Sequence, residues 1–144
     1  MSNLISYKSK FDKKTNVYLV DNTFHGYETL KDKFKTHGLG FAIPEKKSVF
    51  IDLEKIANDN LTDHHITFIE SHEIAHIKLK HSNNFSKEQE AEADYVGVLL
   101  CKKHKENSAM NIGIKNFKSR NKISFEIYHK ENYNKIIKTL KIVT

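Results

Sequence analysis

The chain of 144 residues contains one cysteine, one proline and no long apolar run. A lone Cys101 has no partner for an internal disulfide, which excludes a small disulfide-stabilised secreted scaffold. No segment approaches the ~20 apolar residues that a membrane-spanning helix needs, and the first residues lack the basic start and apolar run of a signal peptide. With Pro44 as the one proline, no proline-rich linker divides the chain. We therefore expect a single cytoplasmic domain over residues 1–144, with no membrane association.

Hydrophobic residues make up 38% of the chain, which is enough for one modest core and too many for a disordered chain. The net charge of +6 is unevenly distributed, since residues 102–144 carry eleven Lys or Arg and three acidic residues. Such a basic segment can bind nucleic acid or an acidic partner. Its basic residues are scattered, however, without regularly interleaved stacking aromatics. We therefore favour a solvated lysine-rich surface over a nucleic-acid interface; the composition gives no indication of oligomeric state.

Hydrophobic periodicity predicts strands in the first part of the chain and helices in the second. Strands are predicted over residues 16–21, 39–43 and 48–52, the last two as a hairpin. Helices are predicted over residues 26–36, 62–81, 87–103, 108–118 and 130–142, with 53–60 as a connection and 123–128 ambiguous. Ser86 and Gln89 form a capping-box pattern at the start of the 87–103 helix. Strands followed by helices indicate the α+β class.

An HExxH sequence occupies residues 72–76 on a predicted helix. Residues four apart lie about 40° apart around a helix and one turn along it, so His72 and His76 can bind one zinc ion, each at about 2.0–2.1 Å. Glu73 would then lie beside the ion, where it can take a proton from zinc-bound water. The alternative is a surface histidine pair on an ordinary helix. The apolar neighbours of the motif favour burial, and buried His and Glu without a metal would be costly.

A second acidic pattern, EAEAD, follows at residues 90–94. Glu90 and Asp94 share a helix face, so Glu90 can be the third zinc ligand while Asp94 accepts a hydrogen bond from a ligand histidine. Glu92 is the next choice for the third ligand, and acids that merely favour the helix N-terminus are the alternative. His81 would lie about 140° off the shared face of a continuous helix, which makes it a poor ligand. Two histidines and one glutamate leave a position for water, as in catalytic zinc sites.

The segments HEIAHIKLKH and EAEADYVGVLL together resemble the gluzincin metallopeptidases. They look most like the ImmA/IrrE-type peptidases and the catalytic core of the HtpX and CAAX-prenyl-protease types, which combine HExxH with a Glu on a following helix. The single-domain minigluzincins are similar in size. The resemblance is specific over residues 66–101 and weaker over residues 38–56. It implies a small zincin-like domain, with N-terminal strands or a hairpin packed on the HExxH helix, a following ligand helix and a helical C-terminus.

By that resemblance, the chain would be a zinc metallopeptidase acting on a protein or peptide substrate. His72, His76 and Glu90 would bind zinc, Glu73 would be the catalytic base, and Asp94 would orient a ligand. A peptide would pair with an exposed edge strand, which we expect at residues 48–52.

Tyr128 and His129 are the candidate oxyanion donors, because a histidine occurs in the corresponding region of HtpX-type relatives. Two other functions remain open: a zinc-stabilised binding or structural module without turnover, such as a virion or assembly component, and a basic nucleic-acid-associated protein. The presence of Glu73 favours an enzyme, because a purely structural zinc has no need for it.

Overall fold

The computed structural model describes residues 4–81 and 86–140, which form a mixed α+β fold. The elements in chain order are β1 (Leu4–Lys8), β2 (Asn16–Val20), α1 (Tyr27–His37), β3 (Gly40–Ile43), β4 (Ser48–Asp52), α2 (Leu53–Asn58), α3 (Asp63–Lys78), α4 (Lys87–Lys103), α5 (Asn107–Arg120) and α6 (Phe125–Leu140). Within these ranges, none of the helices combines the length and apolar composition required to cross a bilayer.

The four strands form one sheet in the order β1-β2-β4-β3. β2 and β4 are parallel, with Val17 opposite Val49, whereas the two outer pairs are antiparallel. The prediction that residues 48–52 form an exposed edge strand is therefore wrong, because β4 is paired on both sides. The edge strand beside the HExxH helix is β3. A methyl group at Gly40 would lie 2.8 Å from Cγ2 of Ile69 and 3.6 Å from Cγ of Glu73, so β3 begins directly against α3.

Each face of the sheet has its own core, as the alternation along the strands dictates. One face, which includes Val17 and Ile51, packs in the large core together with residues of α3 to α6. The other face, which includes Val20 and Phe41, packs with residues of α1 in a smaller cluster. The sheet is thus covered on both sides, and α3 is held between the sheet and the remaining helices.

A close approach of α3 and α4 positions the predicted ligands. A methyl group at Gly97 would lie 3.2 Å from the backbone nitrogen and Cα of His72. Glycine at this position therefore allows the two helix backbones to come together at the first histidine of the HExxH motif. Ser86 caps α4, since its Oγ accepts a hydrogen bond from the backbone N–H of Gln89 at 3.1 Å. The Gly97 contact thus sets the middle of α4 against α3 at His72.

Most predicted elements are present, although the helix predicted over residues 62–81 ends at Lys78, and three other segments differ from the prediction. The segment 53–60, predicted as a connection, contains α2, because the Asp52 side chain caps it by accepting hydrogen bonds from the N–H groups of Glu54 and Lys55. β1 was not predicted, since its side chains at residues 5–8 are exposed and give no alternating apolar signal. The ambiguous segment 123–128 runs into α6, which begins at Phe125. Residues 141 and 142 of the predicted last helix lie outside the described residues.

Candidate metal centre

Two residues of α3 and one of α4 direct their donor atoms toward one point. Nε2 of His72 lies 3.1 Å from Nε2 of His76. Oε1 of Glu90 lies 2.7 Å from Nε2 of His76 and 3.6 Å from Nε2 of His72. The structure therefore brings together the three residues that the sequence predicts as ligands, and the group could hold a metal ion. We call the facing atoms of His72, His76 and Glu90 the donor cluster.

The spacing of these atoms fits a bound cation. Two donors held at about 2.0–2.1 Å with tetrahedral angles lie about 3.3 Å from each other, and the three observed separations lie on either side of that value. Oε1 of Glu90 is buried and has no hydrogen-bond partner among the described residues, although it lies 2.7 Å from Nε2 of His76. Two imidazole nitrogens and a carboxylate oxygen that face one another in the interior need a shared proton or a cation between them. The donor set therefore fits a metal ion.

The other ring nitrogen of each histidine also has a partner. Nδ1 of His72 lies 2.7 Å from Oδ1 of Asp94, which is fully buried. This is the contact predicted for Asp94. Nδ1 of His76 lies 2.8 Å from Nδ1 of His81, so His81 lies behind His76 and does not belong to the group of converging donors. Glu92 was the second choice for the third ligand, and its Oε1 lies 3.3 Å from Nε2 of His81. Both imidazoles are therefore held from the side that faces away from the donor cluster.

Glu73 is buried beside the cluster without belonging to it. Glu73 is 6% exposed, and its Cγ faces the start of β3 at Gly40. Burial raises the pKa of Glu73 to about 7, against the opposing effect of His72. A carboxyl group with a pKa near neutrality is suited to accept and return a proton at physiological pH.

The surroundings of the donor cluster shift the pKa values of its members in different directions. Burial lowers the pKa of His76 to about 4, so its ring is neutral and has a lone pair for a cation. Burial would raise the pKa of Glu90, but its contacts with His72 and His76 outweigh burial and keep that pKa well below the ordinary range. Burial would lower the pKa of His72, but its contacts with Asp94 and Glu90 outweigh burial and raise that pKa to about 10. A metal ion would therefore have to displace a proton from the His72 ring, because metal ions bind the neutral imidazole.

A cavity of about 330 Å³ opens beside Glu73 and Glu90. Its apolar lining consists of Leu39, Phe68, Ile69 and Ile112, and its polar lining includes Lys55, His65, Asn116 and Arg120. These side chains come from α2, α3, α5 and the segment before β3. The cavity therefore offers both an apolar surface and basic groups next to the donor cluster.

Arg120 is a site residue that the sequence did not predict. Its Nη1 lies 3.2 Å from Oε2 of Glu90 and 3.7 Å from Oδ2 of Asp94. It is the last residue of α5, thirty positions beyond Glu90, so no local spacing connects it with the motif. Its position depends on how α5 packs against α3 and α4. The guanidinium brings a positive charge to the cavity and lowers the pKa of Glu73, against the larger effect of burial.

Tyr128 and His129, the predicted oxyanion donors, lie elsewhere. Both are on α6, and Nδ1 of His129 lies 2.7 Å from the hydroxyl of Tyr95. The ring of Tyr128 also packs on Tyr95, at 5.1 Å between centroids. Tyr95 is on a face of α4 about 140° from Glu90. The structure therefore does not bring Tyr128 and His129 to the lining of the cavity beside Glu73.

Comparisons with protein-family models, curated proteins and solved structures find no match for this chain. The geometry of the site is therefore the basis for any statement about function.

Proposed function

We propose that this protein is a zinc-dependent metallopeptidase that hydrolyses peptide bonds of a protein or peptide substrate. One observation carries the proposal: two imidazole nitrogens and one carboxylate oxygen converge within 3.6 Å, with the buried Glu73 beside them. Two histidines and one acid are the ligand set of catalytic zinc sites, which keep a fourth position for water. A purely structural site would more often use four protein ligands and would have no use for Glu73.

The donor types favour zinc among the divalent metals. Imidazole nitrogens suit zinc, copper, iron and nickel, whereas sites for magnesium and calcium are built from oxygen atoms. His72, His76 and Glu90 would hold the zinc ion, which would supply a Lewis acid for the scissile carbonyl and would lower the pKa of water toward ~7. Asp94 keeps the ring of His72 oriented by accepting the hydrogen bond of its Nδ1–H group.

Glu73 takes the proton that the attacking water must lose. In the reaction a C–O bond forms to water, the peptide C–N bond breaks, and a carboxylate and an amine are released. Glu73 accepts the proton of the water and delivers it to the leaving amine, so it ends in its starting state. Burial favours the neutral form of Glu73 and so assists its uptake of that proton.

Substrate binding is assigned to β3 and to the cavity. An extended peptide can add to the edge of β3, whose first residue, Gly40, lies against Glu73. The apolar lining formed by Phe68, Ile69 and Ile112 suits an apolar side chain next to the scissile bond. Arg120 takes the role predicted from sequence for Tyr128 and His129, because its guanidinium is adjacent to the cluster. Loss of one such donor costs on the order of 10²-fold in rate.

The decisive test separates zinc binding from turnover. Glu73→Gln should keep one zinc ion per chain and lose the cleavage of a peptide library, because the amide accepts no proton from water. Glu88→Gln is the matched control, since Glu88 is an exposed acid in the first turn of α4, and it should cleave like the wild type. Cleavage at the wild-type rate by Glu73→Gln would contradict the mechanism. Zinc binding by a wild-type protein that cleaves nothing would favour the binding module instead.

A further inference from the structure

We infer that His81 and Glu92 form a hydrogen-bonded pair that positions His76 on the metal, as Asp94 positions His72. The inference rests on the metal-binding part of the proposed function and is independent of peptide hydrolysis. Nδ1 of His76 lies 2.8 Å from Nδ1 of His81, and Nε2 of His81 lies 3.3 Å from Oε1 of Glu92. Three side chains thus stand in a row behind the donor cluster.

The chemistry of the rings fixes the direction of these hydrogen bonds. A metal ion on Nε2 of His76 leaves the proton of that ring on Nδ1, which must then donate. Nδ1 of His81 is the atom in reach, so it accepts, and the proton of His81 is on Nε2. That N–H group lies beside the carboxylate of Glu92, which accepts. Each group in the row therefore has the partner that it needs, and the row ends on a negative charge.

Burial gives this row its strength. His76 is fully buried and His81 is 9% exposed, so water does not compete effectively for the bond between them. The side chain of Glu92 is about one-third exposed, which keeps its carboxylate hydrated at the outer end. A partner of this kind behind a ligand histidine sets its ring orientation and raises its basicity.

The end of α3 explains why His81 reaches His76. α3 ends at Lys78 with Leu79 as its C-cap, and the next residue, Lys80, has a left-handed backbone with φ of 57°. The N–H of Lys80 donates to the carbonyl of Ile77, and the N–H of His81 donates to the carbonyl of His76, both at 3.1 Å. This is the Schellman pattern of a helix C-terminus. On a continuous helix His81 would lie about 140° from His76, and the reversal of the chain returns it to the same side.

The two ligand histidines are consequently held in different ways by the same helix. Asp94 on α4 contacts His72 directly, whereas Glu92 on α4 reaches His76 through His81. Glu90, on the same helix, completes the donor cluster. Since partners of ligand histidines are typically worth about 10- to 100-fold in metal affinity, His81 should affect zinc binding even though it does not touch the ion.

The test measures the affinity for Zn²⁺ by competition with a chromophoric chelator, together with the visible spectrum of the Co²⁺-loaded protein. His81→Leu should lower the Zn²⁺ affinity about 10- to 100-fold and change the Co²⁺ spectrum. His81→Asn offers an amide oxygen to the Nδ1–H of His76 and should restore most of the affinity. Glu88→Leu is the control, because Glu88 is exposed in the first turn of α4, and it should match the wild type.

A double-mutant cycle with Glu92→Leu adds a sharper criterion. If the two residues act in series, His81→Leu with Glu92→Leu should lose no more affinity than His81→Leu alone. Glu92→Leu by itself covers the case in which His81→Leu does not fold, and it should also weaken Zn²⁺ binding. Wild-type Zn²⁺ affinity and a wild-type Co²⁺ spectrum in His81→Leu would overturn the inference. If His81→Leu does not fold, the same result in Glu92→Leu would overturn it. A double variant whose loss of Zn²⁺ affinity equals the sum of the two single losses would also overturn it. Those results leave the peptidase proposal intact, whereas a wild-type protein that binds no Zn²⁺ would overturn both.

Discussion

Buried carboxylates are the residues whose roles the structure explains best. Asp94 lies against Nδ1 of His72, and Glu73 lines the cavity beside the donor cluster. Glu70, one turn before Glu73 on α3, accepts hydrogen bonds from the hydroxyls of Tyr7 and Ser9, each at 2.6 Å. Ionised groups are rarely buried without such partners. The role of each of these acids can therefore be tested by a conservative substitution, to Asn or Gln, that removes the charge and keeps the shape of the side chain.

Asp94→Asn should weaken zinc binding by about 10- to 100-fold while the fold is retained. The amide oxygen of Asn can still accept from Nδ1 of His72, but the negative charge that raises the basicity of the ring is lost. Competition with a chelator measures the affinity, and circular dichroism checks the fold. Glu88→Gln on the same helix should leave the affinity unchanged. A folded Asp94→Asn protein with wild-type affinity would show that this contact does not tune the metal site.

Glu70→Gln should remove a pH dependence of stability. Burial raises the pKa of Glu70 above its ordinary value of 4.5, against the hydrogen bonds from Ser9 and Tyr7. The folded protein then holds this proton more tightly than the unfolded chain, so the stability contributed by the neutral form is present below pH 4.5 and is lost as pH rises through the raised pKa. The free energy of unfolding of the wild type should therefore fall relative to Glu70→Gln as pH rises over that window.

Denaturant unfolding of the metal-free proteins at a series of pH values measures this difference. The metal-free state is used so that zinc affinity does not add a pH dependence of its own. Glu88→Gln should run parallel to the wild type throughout. A wild-type protein that gains stability over Glu70→Gln with rising pH would show that the hydrogen bonds from Tyr7 and Ser9 outweigh burial.

At the scale of helices and strands, short sequence patterns predicted the features that depend on residues close together in the chain. α4 begins where Ser86 and Gln89 indicate, because a capping box depends on residues close in the chain. The HExxH helix and its two histidines follow from a spacing of four. The edge strand was misassigned because the parallel pairing of β2 with β4 joins residues about thirty apart, which no local pattern reveals.

Two site residues escaped prediction for related reasons. His81 reaches His76 because the helix ends with Lys80 in a left-handed conformation, where glycine is the usual signal. Arg120 reaches Glu90 through the packing of α5, which the sequence does not encode in any short pattern. Tyr128 and His129 were expected at the cavity by analogy with a distant region of relatives, and the structure places them against Tyr95. The convergence of His72, His76 and Glu90 was thus predictable from local spacing, and most of their surroundings were not.

Gly97→Val should separate α3 from α4 and reduce both stability and zinc affinity. The added side chain meets backbone atoms of His72, which have little freedom to move. Overpacking of this kind typically costs about 1–3 kcal/mol, and the displacement carries Glu90 and Asp94 away from the histidines of α3.

Gly113→Ala is the matched comparison. A methyl group there would meet the side chains of Phe68 and Val98, at 2.5 and 2.7 Å. It should also destabilise the fold, but with a much smaller loss of zinc affinity, because side chains rather than the ligand backbone must move. Thermal unfolding and chelator competition distinguish the two variants. If Gly97→Val and Gly113→Ala lose the same amount of stability and also the same amount of zinc affinity, the proposed role of the α3–α4 contact is contradicted.

At the scale of the whole molecule, the candidate metal site lies between two helices, α3 and α4. α3 and α4 contribute His72, His76 and Glu90, while the sheet supports α3 and the later helices support α4. A ligand that binds the folded chain and not the unfolded one stabilises the fold by mass action. Metal binding should therefore be part of the folding free energy of this protein.

Zinc should raise the midpoint of thermal unfolding, and a chelator should lower it again. Free Zn²⁺ at 100 times its dissociation constant stabilises the folded state by about 2.7 kcal/mol. His76→Ala should lose this shift, because the loss of one of three ligands abolishes tight binding. Differential scanning calorimetry with and without zinc measures it. An equal shift in the wild type and in His76→Ala would place the stabilising zinc somewhere else.

X-ray absorption at the zinc edge, combined with an anomalous difference map of a crystal, tests the central claim most directly. We expect one zinc ion per chain, with Nε2 of His72 and of His76 at about 2.0–2.1 Å, a Glu90 oxygen at about 2.0–2.2 Å, and a fourth position open to solvent. A zinc ion bound by other residues, or one that His72 and His76 bind while the Glu90 carboxylate lies outside bonding distance, would contradict the account.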